Sequence, residues 1–554
     1  MKKYLYSLVV AAVMCSNALF AQSVDQGKKF YYYERYKSAK DELEKVLAAN
    51  PNNIEATYWL GQTLLDMKDT VGARAVYQKA LSTNGNAPLL LVGTGHMELM
   101  DGKKEEAKQR FETAISLTKS KDVDIFNAIG RAVVNAKDGD SDYAIEKLTQ
   151  ATQIKKFNNA ETYLIMGDAY RKKVDGGSAV TNYQKALELN PNLAAAKHRI
   201  GRIYLTQKNS DIFIPAFEDA IRLDANYAPA VYDLYYYYFS RDINKAKDYY
   251  DKYLAVSDPS PENDYEKTAI LYASRRYDEA ISTANGFIAK LGEQADPKYY
   301  KLIAYSYDEK KDSLNAKKFL EQYFAKQKEE GFVPKDYEFL ANTLAKFPGN
   351  EEQAMSNYDK AIAMDTAMES KLELMTNAAA LAKKTGNRVM EAKYLGELFK
   401  TKKDPNNVDL YNWGFANYQA AQYPQADSIF AIYTEKYPNE IFGYLWRARA
   451  NQAMDTTMAQ GLAVPHYEKL GEMSLSLDAA KYKGQAVSSY FYLVQYHNDI
   501  KKDPAKALEY IEKVLAIDPA NETAVKIKDI LSKAVNKKAG SSGGSAKPSA
   551  SSGN

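Results

Sequence analysis

The sequence predicts an all-α solenoid of about fourteen helix-turn-helix repeats ending in a C-terminal capping helix, and three observations carry that expectation. A pattern of small and aromatic residues returns about every 34 residues, prolines follow the second half of many units, and the last apolar-periodic stretch has no successor to pair with. The fullest unit runs from Glu161 to Asn192 and carries Tyr163, Met166, Gly167, Tyr170, Ala179, Tyr183, Ala186 and Pro191. Gly167 and Ala179 suit the closest crossing of two helices, and Ala186 the contact with the next unit, because larger side chains would push the helices apart. Asn190 and Pro191 end the second helix, since the residue before a proline leaves the α region and proline offers no N–H.

In chain order, a sparse unit with Gly27, Ala39 and Pro51 comes first. Two fuller ones follow, with Gly61, Ala73, Tyr77 and Ala80, then Gly95, Ala107, Phe111 and Ala114. Gly130, Ala144 and Ala151 mark a unit with a lengthened turn ahead of the reference unit. Gly201, Tyr204, Phe217 and Ala220 keep the phase, but Phe213 stands where alanine is expected; it should splay that helix pair and disturb residues 207–216. Ala246 with Tyr250, and Ala280 with Ala284, are sparse copies before the unit of Tyr300, Ile303, Tyr307, Ala316 and Leu320. Ala354, Tyr358 and Ala361 form the next, then Ala392 with Phe399, then Trp413, Gly414, Ala426, Phe430 and Pro438. Ala463 with Tyr467 precede the last unit, Ala507, Ile511, Val514 and Pro519. Beyond it, NETAVKIKDILSKAVNKK sets Val525, Ile527, Ile530, Leu531, Ala534 and Val535 largely on one face with lysines opposite, as a capping helix requires.

On these residues the chain resembles the tetratricopeptide-repeat family over nearly all of its length between the two ends. The resemblance implies a right-handed superhelix whose concave groove, lined by the first helix of each repeat, binds partners; it specifies fold far better than function. In that register the outward groove positions are Tyr58 and Gln62, His198 and Arg202, Tyr232 and Tyr236, Lys301 and Tyr305, Tyr411 and Phe415, and Tyr492 and Tyr496. Tyrosine suits such a groove because it offers a rigid ring with a polar tip, able to grip an extended peptide or stack on a sugar, although the family pattern also places tyrosine in the core. The Lys-Asn-Asn-Lys-Arg carboxylate clamp of some family members does not carry over: its sites hold Tyr58 and Gln62, or Leu164 and Asp168.

The N-terminus, MKKYLYSLVVAAVMCSNALFAQS, reads as a secretory signal peptide over residues 1–21, with two lysines, an apolar run and Ala21 at the cut. Its run is shorter than the span of about 20 residues that a membrane anchor needs. Cys15 invites a lipoprotein reading, but Val13 and Met14 do not supply the small residues that lipidation signals place before their cysteine. Cleavage after Ala21 removes the only cysteine, and with it disulfides, thiolate nucleophiles and Cys-ligated metals. Three Pro-and-charge clusters, Ser257 to Asp264, Glu329 to Asp336 and Lys400 to Asn407, are expected hinges, and the first and third of them bound expected blocks 22–258, 259–404 and 405–521. A capping helix over 522–538 and a disordered Gly/Ser-rich tail over 539–554 complete the chain.

The formal charge of +3 falls to +1 once Lys2 and Lys3 are removed with the leader, which gives no support to nucleic-acid binding. The four histidines, His96, His198, His466 and His497, offer no pair at helical spacing for a metal. The run after Gly95 has the wrong spacing for a phosphate loop, and Ser116 to Lys119 matches a serine-lysine nucleophile by letters alone. No catalytic, cofactor or metal site is therefore expected, and an enzyme would have to lie in the irregular stretch from Ala453 to Lys481 around His466. The expected function is a non-enzymatic scaffold or adaptor, exported to the periplasm or cell envelope, that meets other envelope proteins through its groove. Mature residues cross no membrane, so any membrane association would run through partners. The alternative is a carbohydrate-binding accessory protein at the outer membrane or surface.

Overall fold

The structure, a computed structural model, describes residues 23–542, so the expected leader and the tail beyond residue 542 lie outside the described residues. Among the described residues there are twenty-nine α-helices, which fall into fourteen consecutive antiparallel pairs and one last helix, with no strand. Two compact units divide between Ala295 and Asp296. Eight pairs belong to the first unit; six pairs and the last helix belong to the second.

One steric device joins the two helices of many pairs. The aromatic sixteen residues after a first-helix glycine lays its ring where that glycine's Cβ would be. A Cβ on Gly61 would fall 2.1 Å from Tyr77, on Gly95 2.4 Å from Phe111, on Gly167 2.4 Å from Tyr183, on Gly201 2.5 Å from Phe217 and on Gly414 2.8 Å from Phe430. Contacts that short cannot be relieved within a packed interior, so glycine there is a condition of the crossing. The alanines of the pattern, including Ala73, Ala107, Ala179, Ala316, Ala426 and Ala507, are fully buried.

A second device turns the chain between the helices of a pair. One residue passes through the left-handed region at Glu34, Lys68 and Gly102, and again at Val174 and Lys208, so the turn recurs at the 34-residue repeat. Glycine takes that conformation freely, whereas a β-branched residue pays about 1–2 kcal/mol. Val174 sits there at φ 63°, 91% exposed and with no packing to compensate. Val174→Gly is therefore expected to stabilise the protein by about 1 kcal/mol in urea unfolding; an unchanged midpoint would show that the turn carries no strain.

The structure departs from the sequence reading in several places. Phe213 splays nothing: Ser210–Leu223 is a continuous helix, and the ring is buried 5.8 Å from Phe217 and edge-on to Tyr237 at 4.9 Å. The lengthened turn after Gly130 is present at residues 136–140, where Lys172 Nζ donates to the carbonyls of Val133 at 2.9 Å and Val134 at 3.2 Å. Gly139 is required in that turn, since a Cβ would lie 1.9 Å from the Val133 carbonyl oxygen.

Each of the three Pro-and-charge clusters is a turn tied down by side chains. Ser260 caps the helix Pro261–Ala273, Asp336 is buried and bonded to Lys301 at 2.8 Å, and Asn406 with Asp409 forms a reciprocal cap. The last helix runs Glu522–Ser542, four residues past Lys538, and its inward face is Ala524 and Leu531, both buried, with Ile527 and Val535 half-buried beside them. Val525, Ile530 and Ala534, expected on that face, point to solvent, so the stripe that meets the preceding helix pair is narrower than the sequence reading and gains Ala524.

Candidate functional site

The first hairpin, helices Val24–Tyr32 and Tyr36–Ala49, packs on its neighbour in sequence and also closes an arc on the sixth and seventh pairs. The Tyr32 hydroxyl accepts from the Ala195 N–H at 3.0 Å, and its ring lies 5.1 Å from that of Tyr227. The Tyr33 hydroxyl donates to Asp224 at 2.8 Å. Asp258, in a segment that the sequence marks as a boundary, accepts from the Ser38 N–H at 2.9 Å, from the Ser38 hydroxyl and from Arg35 Nε at 3.2 Å.

The closed arc surrounds a cavity of ≈ 540 Å³. An adjoining recess of ≈ 320 Å³ shares Lys28, Trp59, Arg131 and Glu161 with it. Both volumes lie within the range in which proteins hold small ligands or side chains of a partner.

The cations of this site are largely spoken for. Arg131 lies 4.6 Å over the Trp59 ring, donates to the Tyr58 hydroxyl at 3.0 Å and pairs with Glu161. Arg199 lies 2.5 Å from Asp168 but off the hydrogen-bond direction, so that pair is a charge contact, and Asp168 also accepts from Tyr183 at 2.9 Å. Lys28 pairs with Glu55 at 2.9 Å.

Several carboxylates have no such partner. Glu34 is open to cavity water yet walled in by protein, which raises its carboxyl above the usual range despite Arg199 and Arg202. Burial also raises Asp66, against the opposing pull of the Tyr31 hydroxyl. In the recess, burial and then the neighbouring Asp122 raise Asp124.

Of the residues expected to line the groove, Arg202, Tyr232 and Tyr236 are exposed. Arg202 lies 3.6 Å from Asp233, and Tyr236 is 72% exposed. Tyr58, Gln62, His198, Tyr492 and Tyr496 are instead buried. Gln62 Nε2 donates to the Tyr77 hydroxyl at 2.8 Å, and Tyr58 touches the recess while serving Arg131. His198 is held between Asp233 at 2.8 Å and Tyr227 at 3.3 Å; burial lowers its pKa although Asp233 opposes this. Tyr492 stacks on Tyr467 at 4.1 Å with its hydroxyl pushed up to about 12 by burial, and Tyr496 fills the space that a side chain on Gly461 would need.

In the second unit, Lys301 pairs with Asp336, Tyr305 stacks on Phe339 at 4.4 Å, and Tyr411 lies parallel to Phe415 at 5.8 Å, all half-buried. The register placed too much on positions three before and one after the glycine. Trp59 and Arg199, two before it, and Asp66, five after it, also face the cavity, and Glu34 and Tyr31 come from the first hairpin. Their spacing from each glycine was readable, but the closing hairpin was not.

Among the described residues, no group of three or more His, Cys, Asp or Glu side chains is placed to hold a metal ion, and no helix is long and apolar enough to cross a membrane.

Tetratricopeptide-repeat family models match residues 31–91, 160–193 and 194–227. The chain is 31% identical to the C-terminal part of a TPR repeat-containing protein from Cytophaga hutchinsonii, covering 48% of this chain and 98% of that one, with a TM-score of 0.28. A tetratricopeptide repeat protein from Parabacteroides merdae is 18% identical, over 46% of this chain and 98% of that one, with a TM-score of 0.36. The chloroplastic PsbB mRNA maturation factor Mbb1 of Chlamydomonas reinhardtii is 33% identical over 81 residues, 14% of this chain and 12% of that protein's length.

Proposed function

Because the chain belongs to the tetratricopeptide-repeat family, whose repeats build protein-interaction scaffolds, we propose that it is a non-enzymatic scaffold or adaptor of the periplasm or cell envelope that gathers other envelope proteins. The observation that carries the reading is the groove side of the first unit, where a solvent-reached cavity and the exposed Arg202, Tyr232 and Tyr236 offer charged and aromatic contacts without closing into a packed core. The leader-like N-terminus supports export.

Arg202→Glu with Tyr236→Ala is expected to weaken partner capture about tenfold, since rigid aromatics and arginine dominate such contacts, while leaving the melting temperature unchanged. In-cell cross-linking from Tyr236 and mass spectrometry of fractionated envelope is the check. Partners recovered equally by the double variant would move the contact surface elsewhere, and recovery only from the cytoplasm would end the envelope assignment.

Carbohydrate binding is the second reading, favoured by the parallel Tyr411 and Phe415 rings beside the exposed Phe442. A glycan array without hits removes it.

A further inference from the structure

We propose that the cavity of the first unit and its adjoining recess seat a cationic stretch of a partner polypeptide, whose lysine or arginine side chains lie against Trp59 and Tyr31 and pair with Glu34, Asp66 and Asp124. The inference rests on the scaffold reading and names the chemistry of its partner.

Charge accounting points this way. Lys28, Arg131 and Arg199 each face a carboxylate of their own, so they have little left for an anionic guest. Once Glu55, Glu161 and Asp168 are assigned to them, Asp25, Glu34, Asp66, Asp122 and Asp124 remain on the walls without an ion pair among the described residues, against Lys29, which lies 5.8 Å over the Tyr33 ring. The excess is local, because the whole chain is slightly basic at +3. Asp66 is half-buried while Glu34, Asp122 and Asp124 are open to solvent, so a basic guest can reach all four and gains their pairing as it covers them.

The aromatic walls suit the same guest. Trp59 already takes Arg131 at 4.6 Å and Lys28 at 5.7 Å over its ring, with Tyr31 edge-on to it at 5.1 Å. Rings that accept guanidinium and ammonium groups from the chain itself present the electron-rich surface that a partner's basic side chain would use. An anionic or purely apolar segment would leave the unpaired carboxylates buried beneath it.

The test uses the full mature chain and two blocked, fluorescein-labelled peptides, hexalysine and hexaglutamate, followed by fluorescence anisotropy. Hexalysine is expected to bind, and Glu34→Gln with Asp66→Asn to weaken it about tenfold, the equivalent of about 1.4 kcal/mol. Glu105→Gln with Glu106→Gln, two exposed carboxylates on the helix Lys104–Leu117, should change it by less than about twofold. Equal weakening by both pairs would mean diffuse attraction and overturn the site.

Carbodiimide coupling on the unaltered chain gives a reading independent of any variant: the ε-amines of bound hexalysine should form amides with Asp66 and Asp124 in preference to Glu105 and Glu106, releasing the urea, and coupling without that preference overturns the proposal. Hexaglutamate bound in preference, or neither peptide bound while cross-linking still returns partners, would overturn the cationic guest and leave the scaffold standing. Site-specific hexalysine binding with no partner ever recovered would do the reverse.

Discussion

Tyr77→Ala is expected to cost about 3–5 kcal/mol and to unfold the first repeats well before the rest of the chain. The Tyr77 ring is held between two glycines, since a Cβ on Gly61 would lie 2.1 Å from it and one on Gly93 2.5 Å. Its hydroxyl donates to the Tyr58 carbonyl at 2.9 Å and accepts from Gln62 at 2.8 Å. Truncation opens a slot between helices Ile54–Asp66 and Pro88–Met100 that no glycine can fill, and strands the buried Gln62 amide. Tyr77→Phe keeps the ring and loses only the hydroxyl, so about 1–2 kcal/mol is expected. Urea unfolding followed by circular dichroism separates the two, and equal losses would mean that the hydroxyl, rather than the ring between the glycines, holds the repeats together.

Asp258→Ala should release the first hairpin from the seventh pair. Three donors converge on that carboxylate, and its side chain is 15% exposed, so about 2–4 kcal/mol of local stability is expected to go with it. Hydrogen exchange should rise through residues 24–49 while helices Ile54–Asp66 and Thr70–Thr83 stay protected. Exchange unchanged in the hairpin would mean that Tyr32 and Tyr33 hold it unaided. The same contact gives a pH dependence. Burial pushes the Asp258 carboxyl up, but the Ser38 hydroxyl and amide and then Arg35 pull it down further, so its folded pKa lies below the ordinary 3.8. Its contribution is therefore complete above about pH 4 and is lost as pH falls through the lowered value. Hairpin exchange should be flat from pH 7 to 5, after correction for intrinsic rates, and climb only below that range.

These two residues also mark what could be read from the sequence. Gly61 and Tyr77 are separated by one turn of chain, and their pairing is a local steric requirement repeated down the array, so spacing alone exposed it. Phe213 looked like a violation because the pattern names a residue type; the space beside Phe217 and Tyr237 that accommodates it belongs to three-dimensional packing. The last helix was read in part for the same reason: Ile527, Leu531 and Val535 turn inward as expected, but Ala524, which counts little in an apolar pattern, is what the preceding pair touches. Ser38 and Asp258 are 220 residues apart, and nothing in either neighbourhood requires the other. With the closing contact unseen, Glu34 read as an ordinary turn residue and Asp66 as a surface acid, and the cavity they share could not be anticipated.

Closure across 220 residues also sets an order of events as the chain emerges N-terminus first. At roughly 5–20 residues per second, the first hairpin is made on the order of ten to forty seconds before Asp258 exists. Each later pair can settle on the one before it as it emerges, but the hairpin's second set of contacts must wait for the seventh pair. The hairpin is thus secured only once the seventh pair has arrived, and until then the space it closes stands open to whatever the nascent chain meets.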